Sequence, residues 1–293
     1  MNETIAIVAT GDMGHAVGRA LGEHGHRVVT DLTGRSARSQ GLAIAGNVTD
    51  LGSLDAVVEA ADFFFSIAPP TAAPDIARNA IAAMQRTGKT ITYADCNAIS
   101  PMTVMAMAED FAAADIPFVD AGIIGRAPGV DSKTQFYATG AEAMRLKVLD
   151  DNGMAVTVLS DRIGDASALK MCFASITKGT NALYATALIA TARYGLGAEL
   201  AQEIEGRAPA IWQAMNRAVP WLAADADRWT GEMEEIAATY DAVGMPDGFH
   251  RGAADLFRKL AATPLGDETR ETLDRTRTLE QTIAILAKAA GTH

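Results

Sequence analysis

Lys170 stands in the run Ala168-Leu-Lys-Met-Cys-Phe173, a helix-forming stretch whose other residues are mostly apolar. An amine on such a face is partly desolvated, and desolvation favours its neutral form. Neutral, it could take the proton of a hydroxyl; charged, it could polarise a carbonyl. Those are the two directions of hydride transfer at a carbon that bears oxygen, a reaction that also needs a positioned nicotinamide. The plainer use of such a lysine is to lay its stem along the helix start and keep its amine in water.

The chain opens with the nicotinamide requirement in view. Thr4-Ile-Ala-Ile-Val-Ala-Thr10 is a short apolar run that reads as a buried strand, and His15 to Leu21 has helical spacing with Val17, Ala20 and Leu21 on one face. Between them lies Gly11-Asp12-Met13-Gly14. The dinucleotide fingerprint G-x-G-x-x-G appears as Ala9-x-Gly11-x-x-Gly14, with alanine at its first position. Gly11 is the glycine that lets backbone approach a pyrophosphate, and Gly14 the one that lets helix pack on strand. Asp12 and Met13 belong to the same turn, whose N–H groups would face the phosphates. A second strand, His26 to Thr30, leads into Asp31-Leu-Thr-Gly-Arg35-Ser36. An acidic group there suits the ribose hydroxyl of NAD, while Arg35 and Ser36 suit the extra phosphate of NADP. Both are present, and the reading leans to NADP. Farther on, Ala68-Pro69-Pro70 stops the apolar strand Phe63 to Ile67 and holds a loop over the sheet edge where ligands bind. Asn97 follows another strand end, where it could bond the nicotinamide amide or substrate, or cap the helix after Pro101.

These residues need a scaffold, and the pattern supplies one. Short strands alternate with helices as far as Val156 to Leu159, which predicts an α/β, Rossmann-type, doubly wound and mostly parallel sheet. Beyond it the strands cease. Ala166 to Tyr194, Leu200 to Arg217, Ala223 to Ala242, Phe249 to Ala261 and Thr269 to Ala290 all have helical spacing. The expected division is therefore a cofactor-binding domain over 1–162 and an all-α domain over 163–293 that serves substrate binding and dimerisation. Its first helix, at ~28 residues, would exceed 40 Å. That is long for a small domain, so a homodimer packed through the helical half is expected.

Composition sets the outer limits. The 293 residues are 49% hydrophobic and 21% charged, enough for a substantial core. Thirty-six acidic against 25 basic residues give a net charge of −11, which argues against nucleic acid and anionic membrane surfaces as partners. Two cysteines, Cys96 and Cys172, make no disulfide framework, and a reducing cytoplasm is expected. No secretory leader and no apolar run of about 18 residues is read. No cluster has metal-ligand spacing, so no metal is expected.

Several motifs then line up in order. Gly11-Asp-Met13-Gly14, Asp95-Cys-Asn97-Ala98-Ile-Ser100-Pro101, Asp120-Ala-Gly-Ile123-Ile124-Gly125-Arg126 and Gly164 with Lys170 together resemble the superfamily of 3-hydroxyacid and 6-phosphogluconate dehydrogenases. The helical half resembles a bacterial branch of unassigned function, through Ala168-Leu-Lys170, Lys178-Gly179 and Arg228-Trp229-x-x-Glu232-Met233. The resemblance implies Lys170 as the acid/base and residues 123–126 as a substrate loop. It also marks departures. The family's substrate-binding serine is Ile124 here, its serine at the nicotinamide end is Asn97, and its helix asparagine is Ala174. Ser175, Thr177 or Lys178 could stand in for that asparagine, Arg126 could pair with a carboxylate or phosphate, and Trp229 and His250 could wall a pocket. The expected activity is an NAD(P)-dependent dehydrogenase or reductase acting on a small hydroxylated substrate, acidic or aromatic. The alternative is a lyase, isomerase or imine reductase on the same fold, with little or no net redox in the first two.

Overall fold

Short strands, most of them buried on both faces, build the first half. In the computed structural model, which describes residues 2–129, 134–150 and 152–289, the strands are β1 (Thr4–Val8), β2 (Arg27–Thr30), β3 (Thr49–Asp50), β4 (Phe63–Ser66), β5 (Thr92–Asp95), β6 (Phe118–Ile124), β7 (Thr134–Thr139) and β8 (Met154–Ser160). They form one sheet in the order β3-β2-β1-β4-β5-β6-β7-β8. Neighbours pair in parallel except β6 and β7, which are antiparallel. Strand order reverses between β1 and β4, the kind of point where open α/β sheets bind ligands at their carboxyl edge.

Because side chains alternate along a strand, each face has its own core. Ile5 and Ile7 of β1 join Val17, Leu21, Phe65, Val119 and Phe136 on one face. Ala6 and Val8 join Phe64, Tyr93, Phe118 and Phe111 on the other. There Phe64, Tyr93 and Phe118 stack across β4, β5 and β6, with ring centroids 5.1 and 5.7 Å apart. Such a ladder contributes about 0.5–1.5 kcal/mol per pair beyond burial. The covering helices are α1 (Asp12–Glu23), α2 (Ala37–Ala45), α3 (Leu54–Ala60), α4 (Ala73–Thr87) and α5 (Pro101–Ala113). Serine hydroxyls start three of them: Ser36, Ser53 and Ser100 accept the N–H of Ser39, Ala56 and Thr103. Gly88, at φ 69°, ends α4.

The helices that follow are α6 (Asp165–Arg193), α7 (Gly197–Arg207), α8 (Pro209–Ala218), α9 (Leu222–Asp241), α10 (Gly248–Ala261) and α11 (Leu279–Ala289). The long helix is present, at 29 residues. Where one helix was expected over 200–217 there are two, since Pro209 cannot donate into a continuing helix and starts α8 instead. Helix was expected from Thr269, but turns occupy 269–277, where Thr269, Thr272 and Asp274 side chains take up backbone N–H groups. The chain forms two compact units, Met1–Met171 and Cys172–His293. The first therefore includes the opening turns of α6, and with them Lys170. Among the described residues no helix is long and apolar enough to cross a membrane.

Candidate functional site

At the carboxyl end of β1 the chain turns directly into α1. Gly11 is the residue before the helix and no side chain caps that end. A Cβ on Gly11 would meet nothing within 4 Å, so the backbone there faces open space. A Cβ on Gly14 would lie 2.0 Å from the Ala9 carbonyl oxygen, so only glycine permits this approach of helix to loop. Gly14 thus packs helix on loop, while Gly11 leaves its side of the backbone open. An open backbone at an uncapped helix start suits a pyrophosphate. Asp12 pairs with Arg38 at 2.7 Å, joining the starts of α1 and α2.

Next to this turn, a cleft of about 310 Å³ is lined by Asp31, Thr33, Arg35, Asn79 and Arg86 over Val8 and Ile76. It holds the acidic residue and the arginine that pull toward different nucleotides. The Asp31 carboxylate already accepts the Thr33 N–H at 2.9 Å. Ser36 is the cap of α2 rather than a free phosphate donor.

On the other side of the strand reversal the edge is sealed by polar side chains. Ser66, Asp95, Asp120 and Thr139 are register partners across β4, β5, β6 and β7, and each is at most 1% exposed. Asp120 takes four donors: the hydroxyls of Thr139 (3.0 Å) and Ser167 (2.7 Å) and the N–H groups of Gly164 (2.9 Å) and Ser167 (3.3 Å). Two of these belong to the first turn of α6, so Asp120 anchors that helix to β6. Burial pushes the Asp120 carboxyl above its usual range against those donors. One turn on, α6 crosses Gly122. A Cβ there would come 2.8 Å from the Ala166 carbonyl oxygen and 3.0 Å from Lys170 Cβ. Lys170 therefore lies against the carboxyl end of β6, half-buried.

Asn97, 3% exposed, uses its side chain to join two strand ends. Its Oδ1 accepts the Ala68 N–H at 2.6 Å, and its Nδ2 donates to Ser66 Oγ at 2.9 Å and to Asp95 Oδ2 at 2.7 Å. The helix cap is Ser100 instead. Pro70 is buried and Pro69 exposed in the loop so braced. In the expected substrate loop Ile123 is buried, Ile124 half-buried, and Gly125 and Arg126 exposed; the Arg126 carbonyl accepts the Thr134 hydroxyl at 2.7 Å.

In the second unit, Lys178 Nζ forms an ion pair with Glu232, which is 3% exposed and also meets Arg228 at 2.9 Å. The same amine lies 5.8 Å from the Trp229 ring centroid. His250 is buried against Tyr240 and Phe249, with centroids 4.3 and 5.3 Å apart, and burial holds its imidazole below the usual range. Tyr240 OH and Ser175 Oγ are 2.7 Å apart. Ala174 is buried, and exposed Thr177 returns its hydroxyl to the Phe173 and Ala174 carbonyls. Of the residues expected at the substrate in this half, Lys178 and Trp229 come together; Thr177 serves its own helix. Glu232 and Ser167 were not anticipated as partners, and Asp95 and Asp120 carry more of the site's order than their place in the motifs indicated. Among the described residues no group of three or more ligating side chains could hold a metal ion.

Residues 4–158 match the family model described as the NAD binding domain of 6-phosphogluconate dehydrogenase. The chain belongs to that family. Residues 192–260 match a second model, described as a domain of unknown function (DUF1932). A 28.5 kDa protein encoded in the 7S RNA 5′ region of Methanothermus fervidus is 28% identical over 180 residues, spanning 61% of this chain and 67% of that one. A conserved protein of unknown function, whose structure was described as similar to 3-hydroxyacid dehydrogenases, is 26% identical, with 88% and 96% of the two chains covered and a TM-score of 0.64. The 3-hydroxyisobutyrate dehydrogenase of Mycobacterium tuberculosis, solved with L-serine, has the same fold at 18% identity, with both chains covered completely and a TM-score of 0.68.

Proposed function

We propose that this member of the family is an NAD(P)-dependent oxidoreductase of the 3-hydroxyacid dehydrogenase type, acting on a small hydroxylated substrate with an acidic or aromatic part. The observation that carries the reading is the packing of α6 on Gly122, with Lys170 at the carboxyl end of the same sheet whose β1 turn is open for a pyrophosphate. Gly11, Asp12, Met13 and Gly14 would hold the phosphates, and Arg35 with Asp31 the adenosine ribose. Arg35 in the cleft favours NADP, as a guanidinium fork matches phosphate oxygens. A nicotinamide bound at this edge accepts or supplies the hydride. Lys170 takes the proton of the substrate hydroxyl during oxidation and returns it during reduction. The backbone of 123–126 and Arg126 form the substrate loop. The chain works as a homodimer in the cytoplasm: α6 exposes Leu169, Phe173, Ile176 and Leu183, and both cysteines are free thiols.

The test is a panel of small hydroxyacids with NAD⁺ and NADP⁺, followed by the absorbance of the reduced nicotinamide. Net conversion matched to oxidised product is expected. In Lys170→Ala, turnover falls about 10²–10⁴-fold while nucleotide affinity holds within about twofold. Retained turnover removes the lysine from the reaction; product without nucleotide conversion makes the enzyme a lyase or isomerase.

A further inference from the structure

Two loops lie over the carboxyl edge beyond the strand reversal, one after β4 and one after β5, and Asn97 joins them. Its amide has two donor hydrogens, and both are spent, on Ser66 Oγ and Asp95 Oδ2. Its oxygen is thereby turned to the Ala68 N–H, the first residue of the Ala68-Pro69-Pro70 loop. Turning the amide over would set NH₂ against that N–H. Asp95 fixes the orientation, since it also accepts the Asn97 backbone N–H on Oδ1 at 3.1 Å. As a carboxylate, Asp95 meets both N–H groups with charged oxygens; a proton removes that charge, weakens both bonds and adds a donor beside two donors.

Among the described residues the hydrogen bonds on that carboxylate come from neutral donors of Asn97. Asp95 is 1% exposed. The titratable groups that feel it are Asp120 across on β6 and Tyr93 and Cys96 beside it in the chain, and Ser66 faces it from β4. None of these is a cation, and Asp120 is already saturated with donors. Burial pushes the Asp95 carboxyl up to about 7; the Asn97 hydrogen bonds pull it down, and the Asp120 charge adds to the rise. The strand reversal divides the edge between the two halves of a dinucleotide. The glycine turn and the Asp31–Arg35 cleft take the phosphates and adenosine, so the loops after β4 and β5 flank the nicotinamide half.

We propose that Asp95 is a positioning residue that, through Asn97, holds the Ala68–Pro70 loop in the shape that receives the nicotinamide half, and that a proton on Asp95 releases the loop. This rests on the cofactor reading above. It assigns Asp95 no contact with the cofactor.

Two measurements on the full chain test it. The first is amide hydrogen exchange at Ala68 without nucleotide, at about pH 6 and about pH 8.5, corrected for the intrinsic rate. Loss of a charge-assisted bond predicts protection about tenfold lower at the acid end. The second is calorimetric titration with NADPH and NADH at the same two pH values, where affinity falls in the same sense. In Asp95→Asn the side chain is neutral and carries a donor at every pH, so both readouts become flat at the acid level. Wild-type exchange at Ala68 that ignores pH overturns the proposal, and does so without any variant. So does a pH dependence that survives in Asp95→Asn, which would place its source elsewhere. If Ala68 exchange follows pH but neither nucleotide binds at either pH, the cofactor reading fails and the loop loses the role given to it.

Discussion

The two units bury charge by different means. In the first, Asp95 and Asp120 lie against hydroxyls, an amide and backbone N–H groups. In the second, buried Glu232 lies between Lys178 and Arg228, and buried Arg277 meets Glu268. Neutral donors fix a carboxylate's geometry but leave its charge unbalanced, so burial raises the carboxyl toward neutral pH. Counter-ions hold the charge. Burial pushes Asp225 up as well, but Arg228 and Arg270 outweigh it and leave that carboxyl below its usual range. Asp95 can therefore respond to protons near neutral pH where Asp225 is held charged, and that contrast can be broken or sharpened by experiment.

The largest expected effect is on stability against pH. A carboxyl raised in the folded chain binds protons more tightly there than in the unfolded chain. Its contribution is present in full below the unfolded value, 3.8, and is lost as pH rises toward about 7. The difference in denaturation midpoint between Asp95→Asn and wild type should grow in the variant's favour across that window; a constant difference would place Asp95 among the locked charges. Next comes Lys178→Ala. It leaves Glu232 with Arg228 alone in a buried setting and should cost on the order of 3 kcal/mol in chemical denaturation. A loss under about 0.5 kcal/mol would mean the pair behaves as a surface contact. The smallest is Gly122→Ala, where the added methyl meets Ala166 and Lys170. About 1–3 kcal/mol of stability should go, and turnover should fall with it while nucleotide affinity holds. Unchanged turnover would show that the seat of α6 on β6 does not set the lysine.

Much of the sheet unit was legible because its signals are local. Gly11 and Gly14 are spaced by the backbone approach they permit, and Ile5, Ile7 and Phe65 alternate with Ala6, Val8 and Phe64 as a two-faced sheet requires. Lys170 stood out as the charge in an apolar run. The partners of Asn97 were not legible, because Ala68 and Ser66 lie 29 and 31 residues away and meet it only when β4 and β5 pair. Asp120 read as part of a substrate motif, and its anchoring of Gly164 and Ser167 depends on where α6 begins. In the helical half, period and proline placed most helices. The pairing of Lys178 with Glu232 joins residues 54 apart and has no sequence signal.

The central claim is that the turn from β1 into α1 holds a dinucleotide over this edge. Calorimetric titration of the intact protein with NADPH and with NADH tests it without knowledge of the substrate. Saturable uptake of one nucleotide per chain is predicted, lost in Gly14→Val, whose side chain collides with the Ala9 carbonyl, and in Gly11→Val, which fills the open backbone. No saturable uptake of either nucleotide by the folded wild-type chain, or uptake that Gly11→Val leaves untouched, would contradict it.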